Sequence, residues 1–271
     1  MVTTLHLLAL LLYLAAAGTL AGSLAGGRGV SSRRATMAAG AGVAVHGAAL
    51  ASFAFAFDEL PLVGLAPSLS VLGFLTAGFL LATALLREAR TLGVVLVPMV
   101  VVMVGLALAL GIEPASEPLA FRGPWFALHA LLSFAGFAGL AVAFAAGLVY
   151  LLQFRELKGK HFGRVFHFFP ALDTLDVVGR RAVVAGFASL SAGLVVGWTW
   201  AIRFEQQALL GDPKVVWGIL TWLVLLVALC ARIGGVRRTR RGALVAVVGF
   251  LIVVVAYVVL RLSTAGGPLF L

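Results

Sequence analysis

Apolar runs long enough to cross a bilayer recur along the whole chain and leave little polar sequence for anything else. Each run is close to the roughly 20 residues that a membrane-spanning helix needs. The chain is 62% hydrophobic and 11% charged, whereas soluble domains average about 25% charged residues. The sequence therefore predicts an all-α polytopic membrane helix bundle, a single integral membrane domain over residues 1–271. About eight transmembrane helices are expected, at 3–22, 37–57, 68–86, 92–111, 125–153, 182–203, 215–233 and 243–262.

The segments that connect these runs fall into two alternating sets with very different charge. One set holds 16 of the 20 basic residues, and the other holds only Arg122, Arg203, Lys214 and Arg261. Because basic loops stay in the cytoplasm, we expect the first set inside and both termini outside. No cation precedes the first apolar run, which favours a retained first helix over a cleaved signal peptide. The net charge of +10 then reports topology in a cytoplasmic (inner) membrane rather than nucleic-acid binding.

Cys230 is the single cysteine, which excludes an internal disulfide and the CxxC and CxxCH motifs. The chain also lacks an HExxH motif, a Walker loop and a nucleophile paired with a base. We therefore do not expect a self-contained catalyst.

Two local patterns predict how the helices pack. The long segment 154–181 has apolar residues spaced by three, which favours a short helix in the inner membrane interface. These residues are Phe169, Leu172, Leu175 and Val178. Small residues let membrane helices approach closely, and three of them recur every four positions in the fifth predicted span. This structural stripe is Gly139, Ala143 and Gly147.

All five tryptophans fall at the predicted outer ends of the fifth, sixth and seventh spans. An aromatic belt would place tryptophan at both interfaces, so a belt on one side is better explained by a ligand surface there. An ordinary belt remains the alternative. The residues are Trp125, Trp198, Trp200, Trp217 and Trp222.

Three histidines lie within predicted spans. His129 follows Trp125 by four residues, so the two share a helical face about one turn below the outer surface, and His6 lies at a similar depth. His46 lies about 16 Å along its helix from the outer end, near the bilayer midplane. Polar groups at that depth are functional candidates by default. For each, a hydrogen bond to a neighbouring helix is the alternative.

The cations nearest to the outer tryptophans complete a chemical pattern. Arg122, Arg203 and Lys214 lie beside flat aromatic walls and one or two histidines, an arrangement that suits a large planar anion. Haem fits, because imidazole binds its iron, tryptophan packs on the macrocycle and arginine pairs with propionates. The candidate iron ligands are His129 and His46. Ordinary surface solvation is the alternative for the cations.

Several stretches resemble one known family. GWTWA (197–201) and GDPKVVWGILTWLV (211–224) resemble the tryptophan-rich outer segment of the cytochrome c assembly proteins, the CcsA/CcmC/HemX-like group of haem-handling membrane proteins. LHALLSFAGF (128–137) is similar to the family's histidine-bearing helix, and FPALDTLDVVGRR (169–181) to its approach to the tryptophan-rich segment. The resemblance covers about residues 125–235.

The resemblance implies that the tryptophan-rich segment and flanking histidines hold b-type haem at the outer face for attachment to apocytochrome c. Haem, apocytochrome c and other cytochrome c assembly membrane proteins are the implied partners. His129 matches the histidine before the segment, and His46 matches a histidine within the membrane. The other implied positions are Trp198, Trp200, Asp212, Pro213, Lys214, Trp217 and Trp222.

Two departures from the family pattern keep other functions open. ALLG (208–211) stands where the family has a tryptophan pair, and no histidine follows His167. The leading hypothesis is a haem-handling assembly factor that presents haem at the outer face. A transporter of a small anion, or a membrane scaffold with a degenerate haem site, are the alternatives.

Overall fold

The computed structural model describes residues 1–26, 31–85, 87–114, 123–160, 163–203, 213–232 and 236–263. Within these ranges the regular structure is helical and includes no strand, which confirms the predicted all-α bundle. The helices are α1 (Val2–Gly26), α2 (Ser31–Phe57), α3 (Leu65–Leu85), α4 (Gly93–Leu110), α5 (Pro124–Lys158), α6 (Arg164–Phe168), α7 (Leu172–Arg203), α8 (Pro213–Cys230) and α9 (Val236–Ser263). A 3₁₀ helix over Arg87–Leu92 joins α3 to α4.

Seven helices in the described part of the chain are long and apolar enough to cross a membrane, namely α1–α5, α7 and α9. The seventh predicted span corresponds to α8, whose apolar part Val215–Cys230 is shorter than the other spans. Helix α8 has 18 residues and is therefore about 27 Å long. The multi-pass character is confirmed, whereas the outward placement of both termini stays a prediction.

Helices that follow one another in the sequence run antiparallel. Ser133, early in α5, lies against Gly193, late in α7, and the same relation joins Gly73 of α3 to Val104 of α4. Helices α3 and α5 begin at the same end, because residues from the first turns of both lie in one apolar cluster. The starts of α1, α3 and α5 and the ends of α2, α4 and α7 therefore lie together.

The bundle has two chemically different ends. We call the end that holds Trp125, Trp198 and Trp200 the tryptophan end. The opposite end, the basic end, carries exposed cations of α5, α7 and α9. The charges of the connecting segments predicted that the cations would lie at one end. The exposed tryptophans of α5 and α7 lie at the opposite end.

Helix α5 is the centre of the bundle and packs closely on two other helices. A Cβ added at Gly139 would lie 2.7 Å from the Cα of Gly186 on α7. A Cβ at Gly147 would instead lie 2.8 Å from the carbonyl oxygen of Ala243 on α9. The predicted small-residue stripe is structural, as expected, but it faces two partner helices rather than one.

The short helix predicted in 154–181 is not a separate element at Leu172, Leu175 and Val178, where the chain is already part of α7. Helix α6 has five residues, and α7 begins at Leu172, ten residues before the predicted start of the span. Leu175 and Val178 are buried in the bundle core, so their spacing marks the first turns of α7. The buried Gln153 side-chain amide donates to the carbonyl of Phe169 at 3.3 Å and holds the connection against α5.

An ion pair joins the helices at the basic end. The Arg232 guanidinium donates to the Asp176 carboxylate at 2.9 Å, and the arginine side chain is 4% exposed. Gly179 and Gly242 leave room for it, because a Cβ at either position would collide with Arg232. Burial lowers the pKa of the Arg232 guanidinium, and the Asp176 carboxylate opposes that shift. One of the sixteen predicted loop cations is therefore part of the packed structure.

The close contact between α5 and α7 predicts that Gly139→Ala destabilises the protein by about 1–3 kcal/mol, because a new methyl meets backbone that cannot move aside. Thermal unfolding of the detergent-purified protein measures the effect. Gly78→Ala is the matched control, since a Cβ there meets nothing within 4 Å. Equal melting temperatures for the two variants would contradict the importance of this contact.

Candidate functional site

His129 lies on α5 near the tryptophan end, where one of its ring nitrogens is fixed. Nδ1 of His129 lies 2.7 Å from the carbonyl oxygen of Gly193 on α7. A carbonyl can only accept, so Nδ1 carries the hydrogen, and neutral imidazole then has a lone pair on Nε2. The structure therefore presents a half-buried imidazole whose orientation and tautomer are set by the backbone of the next helix.

Two glycines of α7 make room for this imidazole. Gly193 supplies the acceptor carbonyl, and Gly197 follows it by four residues, one turn further along the same face. A Cβ added at Gly197 would fall on the ring of His129. The glycine of the GWTWA stretch is thus part of the site through its missing side chain. The sequence analysis missed this role, although the glycine stands next to the tryptophans that it singled out.

Three of the predicted tryptophans surround this helix end. Trp125 is 60% exposed and Trp198 is 53% exposed, so both present indole faces outside the packed core. Trp200 is partly buried, with its ring centroid 6.0 Å from that of Phe126 on α5. The structure thus brings these tryptophans and His129 to one end of the α5–α7 pair.

Trp217 and Trp222 lie deeper and have their own partners. Trp217 stacks on Phe137 with 4.1 Å between ring centroids, at a position on α5 about 12 Å further into the bundle than His129. Its indole N–H donates to the carbonyl of Val253 at 3.1 Å. The indole N–H of Trp222 donates to the Ser191 hydroxyl at 2.8 Å. Both join helices inside the bundle, away from the exposed indoles.

Only some of the polar residues predicted for the site lie within the described part of the structure. Arg203 is the last residue of α7 and is exposed at the tryptophan end. Lys214 lies in the first turn of α8, but its side chain lies outside the part of the structure that is described. Asp212, Arg122 and the ALLG segment also lie outside the described residues.

His46 lies in a different cluster from His129. It is fully buried on α2. Its Nε2 is 2.8 Å from the Ser70 hydroxyl, and its Nδ1 is 3.3 Å from the Tyr13 hydroxyl. Ser70 lies in the second turn of α3 and Tyr13 lies eleven residues after Val2 on α1, so His46 lies below the tryptophan end, in the interior of the bundle. Both of its ring nitrogens are engaged.

The described residues include no group of three or more His, Cys, Asp or Glu side chains that could hold a metal ion. Among the described residues near the exposed tryptophans, His129 is the candidate metal ligand.

Fold and site together define a polytopic helical membrane protein with an oriented imidazole among aromatic side chains at one end of the bundle. Residues 65–266 match the cytochrome C assembly protein family. The match covers most of the chain, so the protein belongs to this family.

Curated relatives are similar over part of their length. The cytochrome c biogenesis protein CcsA of Guillardia theta is 29% identical over 153 residues, which are 51% of this chain and 51% of that protein. CcsA of Chlamydomonas reinhardtii is 29% identical over 147 residues, 54% of this chain and 40% of that protein. CcsA of Synechococcus elongatus is 39% identical over 94 residues, 35% of this chain and 29% of that protein. The chain thus spans about half or less of the length of these relatives.

The contact between Gly197 and the ring of His129 predicts the effect of Gly197→Ala. The new methyl group would occupy the space of the ring, so we expect it to displace the imidazole and break its hydrogen bond to Gly193. Nitrogen-15 NMR of histidine-labelled protein measures this as loss of the Nδ1–H signal of His129. Gly218→Ala is the control, because a Cβ there makes ordinary contact at 3.7 Å with Leu194. An unchanged His129 signal in Gly197→Ala would show that the ring is not held in this way.

Proposed function

We propose that this chain acts in cytochrome c biogenesis by holding haem at the tryptophan end, where Nε2 of His129 would bind the iron. The hydrogen bond from His129 Nδ1–H to the Gly193 carbonyl carries the proposal. Histidines that bind metals almost always donate their other ring N–H to a carbonyl or carboxylate, which fixes the ring and raises its basicity. His129 has this arrangement, with its Nδ1–H donated to a backbone carbonyl.

The side chains at this end fit the group. Imidazole is a common ligand of haem iron, apolar faces pack on the haem ring, and cations pair with its propionates. His129 supplies the first. The exposed indoles of Trp125 and Trp198 supply apolar surface, and Trp200 extends it.

Arg203, at the end of α7, is placed to pair with a propionate, and the family resemblance adds Lys214 and Asp212 to this role. When bound, b-type haem would supply the vinyl groups through which it is joined to apocytochrome c. The chain itself would bind haem and orient it.

His46 fits iron ligation less well than His129. Ser70 and Tyr13 already occupy both of its ring nitrogens, so binding iron would require one of these hydrogen bonds to break. Trp217 and Trp222 likewise serve the haem site by fixing α8 against α7 and α9 rather than by covering haem. We therefore assign His129 as the residue that would bind the iron, and a partner protein would supply any further ligand.

The similarity to proteins named CcsA supports a role beside other cytochrome c assembly membrane proteins and an apocytochrome. The separation of the basic end from the tryptophan end supports an orientation with haem on the outer side of the cytoplasmic membrane, because cations favour the cytoplasmic side. These partners and this orientation are part of the proposal.

A pyridine haemochrome assay on detergent-purified protein tests the ligand assignment. We expect b-type haem in the wild type and in His167→Ala, whose histidine is exposed at the basic end. In His129→Ala the haem content should fall at least about tenfold, since even loss of an outer-shell partner weakens metal binding 10–100-fold. Equal haem in His129→Ala and His167→Ala would refute the proposal.

Three further variants separate iron binding from packing. His129→Gly leaves a space that free imidazole can enter, so added imidazole should restore the absorption spectrum if the lost group was an iron ligand. Restoration in His129→Gly, with none in His129→Leu, is the expected result. Haem loss in His46→Ala would show that His46 leaves its hydrogen bonds to bind iron, whereas retained haem would limit the site to His129.

A further inference from the structure

A chain of hydrogen bonds is buried between α1, α2 and α3, apart from the His129 site. Tyr13 hydroxyl lies 3.3 Å from His46 Nδ1, and His46 Nε2 lies 2.8 Å from the Ser70 hydroxyl. That same hydroxyl lies 2.9 Å from His6 Nε2. His6 Nδ1 lies 2.9 Å from the carbonyl oxygen of Val2. Four side chains from three helices thus form one continuous path.

The carbonyl at one end fixes every proton in this path. Val2 oxygen can only accept, so His6 carries its hydrogen on Nδ1 and accepts on Nε2. Ser70 must then donate to His6 and accept from His46, which therefore carries its hydrogen on Nε2. His46 Nδ1 is left to accept from the Tyr13 hydroxyl. The two histidines hold opposite tautomers, and all four donors point toward Val2.

The path runs from the tryptophan end into the interior of the bundle. Val2 and Tyr13 are eleven residues apart on α1, a distance of about 16 Å. This is about half of the roughly 30 Å hydrocarbon thickness of a bilayer. Tyr13, His46, Ser70 and His6 are each buried to within 1% of full burial, so the path is closed to lipid.

Aromatic rings and glycines pack around the two imidazoles. The rings face each other edge-on with centroids 5.4 Å apart, and His46 also meets the edge of Phe74. A Cβ at Gly73 would lie 3.9 Å from His46, and Tyr13 packs against Gly42. In such low-dielectric surroundings hydrogen bonds are strong and polarise one another. Four polar groups at this depth are expensive if they only pack helices together.

We propose that Tyr13, His46, Ser70 and His6 form a proton relay that passes protons outward, from the bundle interior to the tryptophan end. A proton that arrives at the Tyr13 oxygen displaces the phenolic proton to His46 Nδ1. His46 Nε2–H passes to the Ser70 oxygen, and the Ser70 proton passes to His6 Nε2. His6 then releases its Nδ1–H beside Val2. One proton enters, one leaves, and each group ends neutral. His46 then carries its hydrogen on Nδ1 and His6 on Nε2, so the rings and hydroxyls must reorient before another proton passes.

The tautomers provide the first test. Nitrogen-15 NMR of the histidine-labelled wild-type protein should show Nδ1–H at His6 and Nε2–H at His46, assigned by comparison with His6→Gln and His46→Gln. The same tautomer at both residues would break the chain of donors and overturn the proposal.

Hydrogen exchange provides the second test and separates a relay from a packed polar network. In the wild type, the His46 N–H should exchange with solvent through Ser70 and His6. In Ser70→Ala the exchange should slow at least about tenfold, because it must then await local opening of the bundle. Ser70→Thr keeps the hydroxyl and should restore fast exchange.

Ser68→Ala is the matched control, since Ser68 is a buried serine on the same helix that donates to the carbonyl of Leu62. An exchange rate in Ser70→Ala equal to or faster than that in Ser68→Ala would overturn the relay. Neither result depends on haem, because the relay lies on α1–α3 and His129 lies on α5.

Discussion

Close backbone contact between α5 and α7 is the constraint on which the rest of the structure depends. Lipid gives membrane helices no hydrophobic reason to associate, so they must approach closely enough for dispersion forces and backbone polar groups to act. Gly139 and Gly186 allow that approach. The same register sets Gly193 and Gly197 opposite His129. A shift of one residue would rotate these glycines away from the imidazole by about 100°. The glycines between α5 and α7 therefore also orient the imidazole of His129.

The two histidine clusters show how surroundings give one residue type two roles. Within the described residues, the imidazole of His129 makes one hydrogen bond, through Nδ1 to a carbonyl, so its Nε2 lone pair is available to a ligand. His46 meets hydroxyl groups on both sides, so its lone pair and its hydrogen are both used within the bundle. The first could bind a metal and keep that hydrogen bond. The second is placed to pass a proton between two hydroxyl groups.

Much of the fold could be predicted from the sequence, because a bilayer admits helices and requires apolar runs of a set length. The ends of the helices could not, because tertiary contacts such as that of Gln153 with the start of α7 decide where a turn stops. Among the site residues, His129 and the exposed Trp125 and Trp198 follow from helical spacing at a predicted end.

The burial of Trp217 and the hydrogen bond between His46 and Ser70 depend on which helices pack together. The spacing of residues along the sequence does not give that information. Tyr13 and Ser70 had no local signal at all. Both are ordinary residues in apolar runs, and their importance comes from the histidines that the fold sets beside them. For Gly197 the only signal was its place in the tryptophan-rich stretch.

A single oriented imidazole also bears on how the proposed haem site would work. Two protein imidazoles on one iron would hold haem tightly and leave no position for exchange. One imidazole, held by a backbone carbonyl and flanked by indoles that are more than half exposed, would bind haem and leave room for a ligand from a partner. Such a site would suit a protein that must give up what it binds, because a partner's ligand can attach before the first is lost.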